Sequence, residues 1–260
     1  MALASMSEIF ERMARNGQEF WEVVLADDMD ERQVSREASM AKMLTTWQAM
    51  QDAADSYTGR KRSVSGLVGG DGMKMRQYTF RGCAMTGGYV SEVIAEALSM
   101  AESNACMRRI VAAPTAGACG VLPAVLLPLC KYEELTQHQL LEALYVAAGI
   151  GSIIAYKASI AGASGGCQAE IGTASAMAAG ALVALRGGEG EQIGHAVAMA
   201  LKNLMGLVCD PVAGLVEVPC VKRNVIGAVN AVSAADMALA GIESRIPVDE
   251  VIDAMGEVGR

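Results

Sequence analysis

Histidine and aromatic residues are scarce in this chain. Among 260 residues there are two His, three Phe, two Trp and six Tyr. Two histidines cannot build a histidine-rich metal centre. His138, beside Gln137 and Gln139, reads as solvated, and His195 as a satisfied core residue, so neither supplies an obvious general base. With aromatics at 4%, an apolar fraction of 52% must rest on Ala, Val, Leu, Ile and 17 Met. Such a core favours close-packed helices over sheets. Long basic runs are missing too: the densest is Arg60-Lys61-Arg62, and the net charge is −8. Both argue against a nucleic-acid partner. No Gly-x-Gly-x-x-Gly follows a strand pattern, and no Walker-type loop is present.

An unbroken membrane-spanning run is also lacking, despite a mean hydropathy of +0.29. The longest uncharged stretch, Ile110 to Cys130, contains Pro114, Pro123, Pro128, Gly117 and Gly120. These would interrupt a spanning helix repeatedly. Ala143 to Tyr156 is shorter than a span. Glu8, Glu11 and Arg12 near the N-terminus do not fit a secretory or transit peptide. The expectation is a cytoplasmic protein without a membrane segment.

What is present is helical periodicity. Ile9, Phe10, Met13, Phe20, Val23 and Val24, with charges between them, predict an amphipathic helical segment over 1–56. A polar and glycine-rich break runs from Ser56 to Gly72. Helices are expected at about 87–107, 137–156, 169–186, 189–205, 222–241 and 248–257. Thr136 and Gln139 form a candidate capping box, and Gly187-Gly188-Glu189-Gly190 marks a helix–helix turn. The expectation is an all-α protein, with one compact catalytic domain over 57–260 following the N-terminal segment.

Seven cysteines, an odd number, are not a disulfide framework in a reducing compartment. Cys167, Cys209 and Cys220, spaced Cys-x41-Cys-x10-Cys, adjoin Gly or Pro, where the backbone can approach and hydrogen-bond sulfur. Three thiolates on a cubane would leave one iron open as a Lewis acid. On spacing alone, three buried thiols are the better reading. Cys83, Cys106, Cys119 and Cys130 read as small buried hydrophobes. Pro114-Thr115-Ala116-Gly117 opens toward a helix beginning at Gly120-Val121-Leu122-Pro123, and N–H groups there, with the Thr115 hydroxyl, suit a carboxylate.

Two segments carry a resemblance. Ile110-Val111-Ala112-Ala113-Pro114-Thr115-Ala116-Gly117-Ala118-Cys119-Gly120-Val121-Leu122-Pro123-Ala124 resembles a signature of the iron–sulfur L-serine dehydratases. So does Gly206-Leu207-Val208-Cys209-Asp210-Pro211-Val212-Ala213-Gly214-Leu215-Val216-Glu217-Val218-Pro219-Cys220. The resemblance extends over about 64–259 and is closest to the two-subunit form. It implies a helical catalytic α subunit, an oxygen-sensitive [4Fe–4S] cluster on Cys167, Cys209 and Cys220, and a separate β subunit. It also implies conversion of L-serine to pyruvate and ammonia without pyridoxal phosphate. By the same match, Thr115, Gly117, Ser65, Asn104 and Lys74 are candidate substrate contacts. The general base is left open among a lysine of this chain, a serine alkoxide and a group of β. Arg108 stands where relatives often have glycine, and a long cation is expected in the wall of the site. Relatives also continue through a glycine- and threonine-rich tail expected to help close the site. A cysteine desulfidase-like lyase and a non-catalytic iron–sulfur sensor are the alternatives. Self-association of α is expected when β is absent.

Overall fold

The computed structural model describes residues 3–260. Among them there is no strand, as an alanine- and methionine-rich core leads one to expect. The N-terminal segment forms α1 (Met6–Asn16), α2 (Phe20–Arg32) and α3 (Arg36–Asp55). Each has a readable start or stop. Ser5 caps α1 by accepting the Glu8 N–H, and Gly17 ends it in the left-handed conformation. Ser35 caps α3 in the same way through the Ala38 N–H.

Next come α4 (Asp71–Phe80), α5 (Gly87–Ala105), α6 (Val121–Tyr132) and α7 (Gln137–Lys157). The capping box of Thr136 and Gln139 opens α7 as its sequence predicts. A short α8 (Gly162–Cys167) runs into a π-helix (Gln168–Gly172) and then α9 (Thr173–Leu185). α10 (Gly190–Leu204), α11 (Cys220–Leu239) and α12 (Val248–Val258) complete the chain.

The sequence pattern did not announce α4. It follows the glycine-rich break, and its start depends on a residue far along the chain. Glu102, buried on α5, accepts the N–H groups of Asp71 at 2.7 Å and Gly70 at 3.0 Å, together with the Tyr57 hydroxyl. A carboxylate at a helix N-terminus satisfies donors that otherwise lack partners.

α9 lies at the centre, buried from Thr173 to Val183 and packed between α7, α10 and α11. Its alanines and Gly180 let the flanking helices approach closely, since the Ile150 side chain occupies the space a Cβ at Gly180 would need. The N-terminal segment adds to the same core: Met6, Ile9, Phe20, Trp21, Val24, Trp47 and Met50 are all buried in it. α7 is the one described helix long and apolar enough to cross a membrane, longer than the stretch singled out above. Within its most apolar window 67% is buried inside the molecule, as for a core helix.

Candidate active site

The end of α8, the start of α11 and the irregular segments 113–120 and 206–219 meet in one region. Cys167 ends α8, where Gly166 turns the chain with φ +78°. A side chain at Gly166 would strike the Leu207 carbonyl at 2.8 Å, so glycine allows the two segments to touch. The Gln168 N–H donates to that carbonyl at 2.9 Å, and Gln168 Oε1 accepts the Gly206 N–H at 2.7 Å. These bonds hold the 206–209 loop against Cys167. Cys220 is the first residue of α11.

One turn along α11, Arg223 joins the pieces. Its Nη1 donates to Cys167 Sγ at 3.1 Å and to the Val208 carbonyl at 3.0 Å, and it pairs with Asp210. Cys167 is buried, Cys220 half-buried and Cys209 exposed. Burial pushes the Cys220 thiol up to about 11, and the negative charges of Cys167, Glu170 and Cys209 add to this. Burial also raises Cys167, against the pull of Arg223. The thiols therefore act on one another electrostatically. Among the described residues, no three His, Cys, Asp or Glu side chains are grouped closely enough to hold a single metal ion. The cysteines converge without closing.

The Pro114–Gly117 segment is pinned beside them by Asn224, which is fully buried on α11. Its Oδ1 accepts the Gly120 N–H at 2.9 Å, and its Nδ2 donates to the carbonyls of Gly117 at 2.8 Å and Cys220 at 3.1 Å. The Ala113–Pro114 and Val218–Pro219 peptide bonds are cis. The Thr115 hydroxyl donates to Glu170, which the π-helix projects into the gap. Cβ atoms built at Gly117 and Gly162 would stand 2.6 Å and 2.9 Å from the Glu170 carboxylate oxygens. Gly117 thus leaves room for a carboxylate of the chain itself.

The other candidates lie further out. Ser65 donates its hydroxyl to Glu217, which also accepts Ser63 Oγ at 2.7 Å, so Ser65 stitches the 63–68 loop to the 206–219 segment. Hydrogen bonds from Ser65 and Ser63 hold the Glu217 carboxyl below its ordinary value. Asn104 is half-buried in the last turn of α5. Lys74 is exposed and paired with Asp71 at 2.8 Å, as is Lys222. Arg108 donates to the Ser56 carbonyl, an anchor to the N-terminal segment. Of the four cysteines expected to be buried hydrophobes, Cys119 is fully buried, with its thiol pushed up to about 12 by burial. Cys106 and Cys130 are half-buried. Cys83 is the exception: it is exposed in the turn between α4 and α5, where no helix packs over it. His138 stacks edge-on against Trp21, and His195 Nδ1 accepts the Ser244 N–H at 3.3 Å.

Sequence reasoning did not pick out Glu170, Arg223 or Asn224. A lone carboxylate, cation or amide on a helix gives no pattern, and only convergence gives these residues meaning.

Comparison with known proteins bears on the same residues. A family described as "Serine dehydratase alpha chain" matches residues 15–260. The probable L-serine dehydratase alpha chain of Bacillus subtilis (strain 168) is 46% identical over 239 residues, 92% of this chain and 80% of that protein. The L-serine dehydratase alpha chain of Peptoniphilus asaccharolyticus is 39% identical over 258 residues, 99% of this chain and 88% of that one. L-serine dehydratase 2 of Escherichia coli (strain K12) is 48% identical over 166 residues, 63% of this chain but 36% of that protein. With nearly its whole length matched, and with the cysteine-bearing and Pro-Thr-Ala-Gly segments inside the match, this chain belongs to the serine dehydratase alpha chain family.

Proposed function

We propose that this chain is the catalytic α subunit of an L-serine dehydratase, releasing pyruvate and ammonia from L-serine with a [4Fe–4S] cluster and a β partner. The observation that carries the reading is the meeting of Cys167, Cys209 and Cys220 with the Thr115 segment in one region, tied together by Arg223 and Asn224.

The donor set suits such a cluster. All seven cysteines are free thiols, three of them share one another's field, and Arg223 already hydrogen-bonds one sulfur. Cys167, Cys209 and Cys220 would hold the cluster, which when bound supplies a Lewis acid for the departing hydroxyl. Ligation requires thiolates, so the raised thiols of Cys167 and Cys220 would release their protons on binding iron. The N–H groups of the Thr115 turn would take the substrate carboxylate, the Thr115 hydroxyl being given to Glu170, and Arg223 would keep the cysteine segments aligned. A reducing cytoplasm suits this thiol chemistry.

The rim of the site suits a partner. Val64 is 94% exposed, and Leu67, Val208, Val212, Leu215 and Val216 are exposed beside the Ser65–Glu217 tie. Apolar side chains gathered around a site favour a docked subunit. The decisive experiment is anaerobic assay of iron-loaded α, with and without β, for pyruvate from serine and sulfide from cysteine. Sulfide as the main product would replace this reading with a desulfidase, and no turnover in any mixture would leave a sensor.

A further inference from the structure

A dehydratase without a Schiff base needs a well-placed base, because the α-proton of serine is only weakly acidic. The usual candidates of this chain are engaged elsewhere. His138 lies against Trp21 and Glu142, and His195 against Ser244. Lys74 and Lys222 both pair with Asp71, and Lys157 with Asp249 and Asp253.

Glu170 differs from all of these. It stands three residues after Cys167, on the π-helix that interrupts the path into α9. Such insertions often turn a side chain toward a site. Its oxygens face two glycines, Gly117 and Gly162, each so close that a methyl group would collide with them. Among the described residues, no Lys, Arg or His pairs with it, and the partner it has is the Thr115 hydroxyl. It is half-buried rather than sealed in. A carboxylate without a counter-ion, oriented by one hydroxyl and reachable from the site, is arranged to accept a proton.

Resting on the dehydratase reading, we propose that Glu170 is the base that removes the α-proton of serine, with Thr115 orienting its carboxylate. The Cα–H bond breaks toward Glu170, and its electron pair forms the Cα=Cβ bond as the Cβ–O bond breaks and its own pair leaves on oxygen. The leaving hydroxide takes the proton back from Glu170 as water. The carboxylate is restored, and the aminoacrylate released tautomerises to an imine and is hydrolysed to pyruvate and ammonia.

The test uses iron-loaded α with its β partner under anaerobic conditions, comparing wild type with Glu170→Gln and Glu170→Asp. Glutamine keeps an acceptor for Thr115 but cannot take a proton. Glu170→Gln should keep its cluster absorbance and bind serine nearly as tightly by calorimetry. It should lose roughly 10²–10⁴-fold in kcat, the usual worth of a general base. Exchange of the serine α-proton with D2O, followed by NMR, should vanish with it, and Glu170→Asp should recover part of both. Turnover of Glu170→Gln within tenfold of wild type overturns the proposal and leaves the dehydratase reading intact. Loss of folding, absorbance or serine binding in both variants also overturns it, making Glu170 a structural residue. Wild type that forms no pyruvate from serine sinks the underlying reading, and the proposal with it.

Discussion

Single atoms decide much at this site, and the cysteines show it first. A thiol reacts as its thiolate, so exposure and burial predict an order of modification. In the iron-free protein at pH 8, exposed Cys83 and Cys209 should be alkylated first. Cys119, fully buried with its thiol pushed up to about 12, should be last. Peptide mass spectrometry after a timed alkylation checks this, and early labelling of Cys119 would contradict the packing around it. Replacing Cys167, Cys209 or Cys220 with Ala should abolish the visible absorbance of the iron-loaded protein, whereas Cys83→Ala should keep it. Gly117→Ala probes the other side of the site. Its methyl would meet the Glu170 carboxylate at 2.6 Å, so kcat should fall while the thermal midpoint stays near wild type. A variant with unchanged kcat would mean that the carboxylate can move aside without consequence.

At the scale of elements, the ends of helices carry contacts that join distant parts of the chain. Asp249, in the first turn of α12, accepts the Ser7 hydroxyl at 2.7 Å and the N–H groups of Met6 at 3.0 Å and Ser7 at 2.9 Å. Burial alone would raise its carboxyl, but these bonds and Lys157 hold it below the ordinary value. Its folded-state pKa being depressed, the stabilisation is present above the unfolded value, about 4, and is lost as pH falls through the folded one. Asp249→Asn should therefore cost about 2 kcal/mol at neutral pH, a typical figure for hydrogen bonds to a charged group. The difference should shrink toward zero in acid, and melting curves of both proteins across pH 2–7 would reveal a gap that failed to close. Packing between elements is equally specific. A Cβ at Gly149 of α7 would fall on the Val24 methyl groups of α2. Val24 is stiff at χ1, so Gly149→Ala should cost about 1–3 kcal/mol by overpacking, read from urea unfolding.

For the whole molecule, the central question is what covers the apolar rim. The loops 63–68 and 206–219 are tied to each other by Ser63, Ser65 and Glu217, so Val64, Leu67 and Val216 are presented together rather than on independent loops. Leu67→Asp should weaken binding of the β subunit more than tenfold, since a charge would enter an apolar contact, while the circular dichroism of α stays the same. Light scattering should find α alone self-associating at high concentration and released by β. Equal affinity of the variant for β would move the docking surface elsewhere. A site built partly on the exposed Cys209 loop should also be sensitive to air. Activity lost on aeration should return with Fe²⁺ and thiol, and activity that survived prolonged aeration and chelation would point to another cofactor.

Much of this protein was legible in the order of its residues. The all-α class followed from an aliphatic core rich in alanine and poor in aromatics. Local signals marked several helices, because caps and turns act within a few residues: Thr136 and Gln139 opened α7, and the glycines at 187–190 closed α9. The cysteine and Pro-Thr-Ala-Gly segments were readable because they are long, contiguous and shared with a family. Tertiary structure alone decided the rest. α4 depends on Glu102 for its start, α8 and α9 are separated by a π-helix, and Cys83 is exposed because nothing packs over its turn. Glu170, Arg223 and Asn224 acquire roles because helices distant in sequence bring them against Thr115, Cys167 and Gly117. Periodicity and capping are short-range properties, recorded in neighbouring residues. The convergence of single side chains arises only when the whole core has packed.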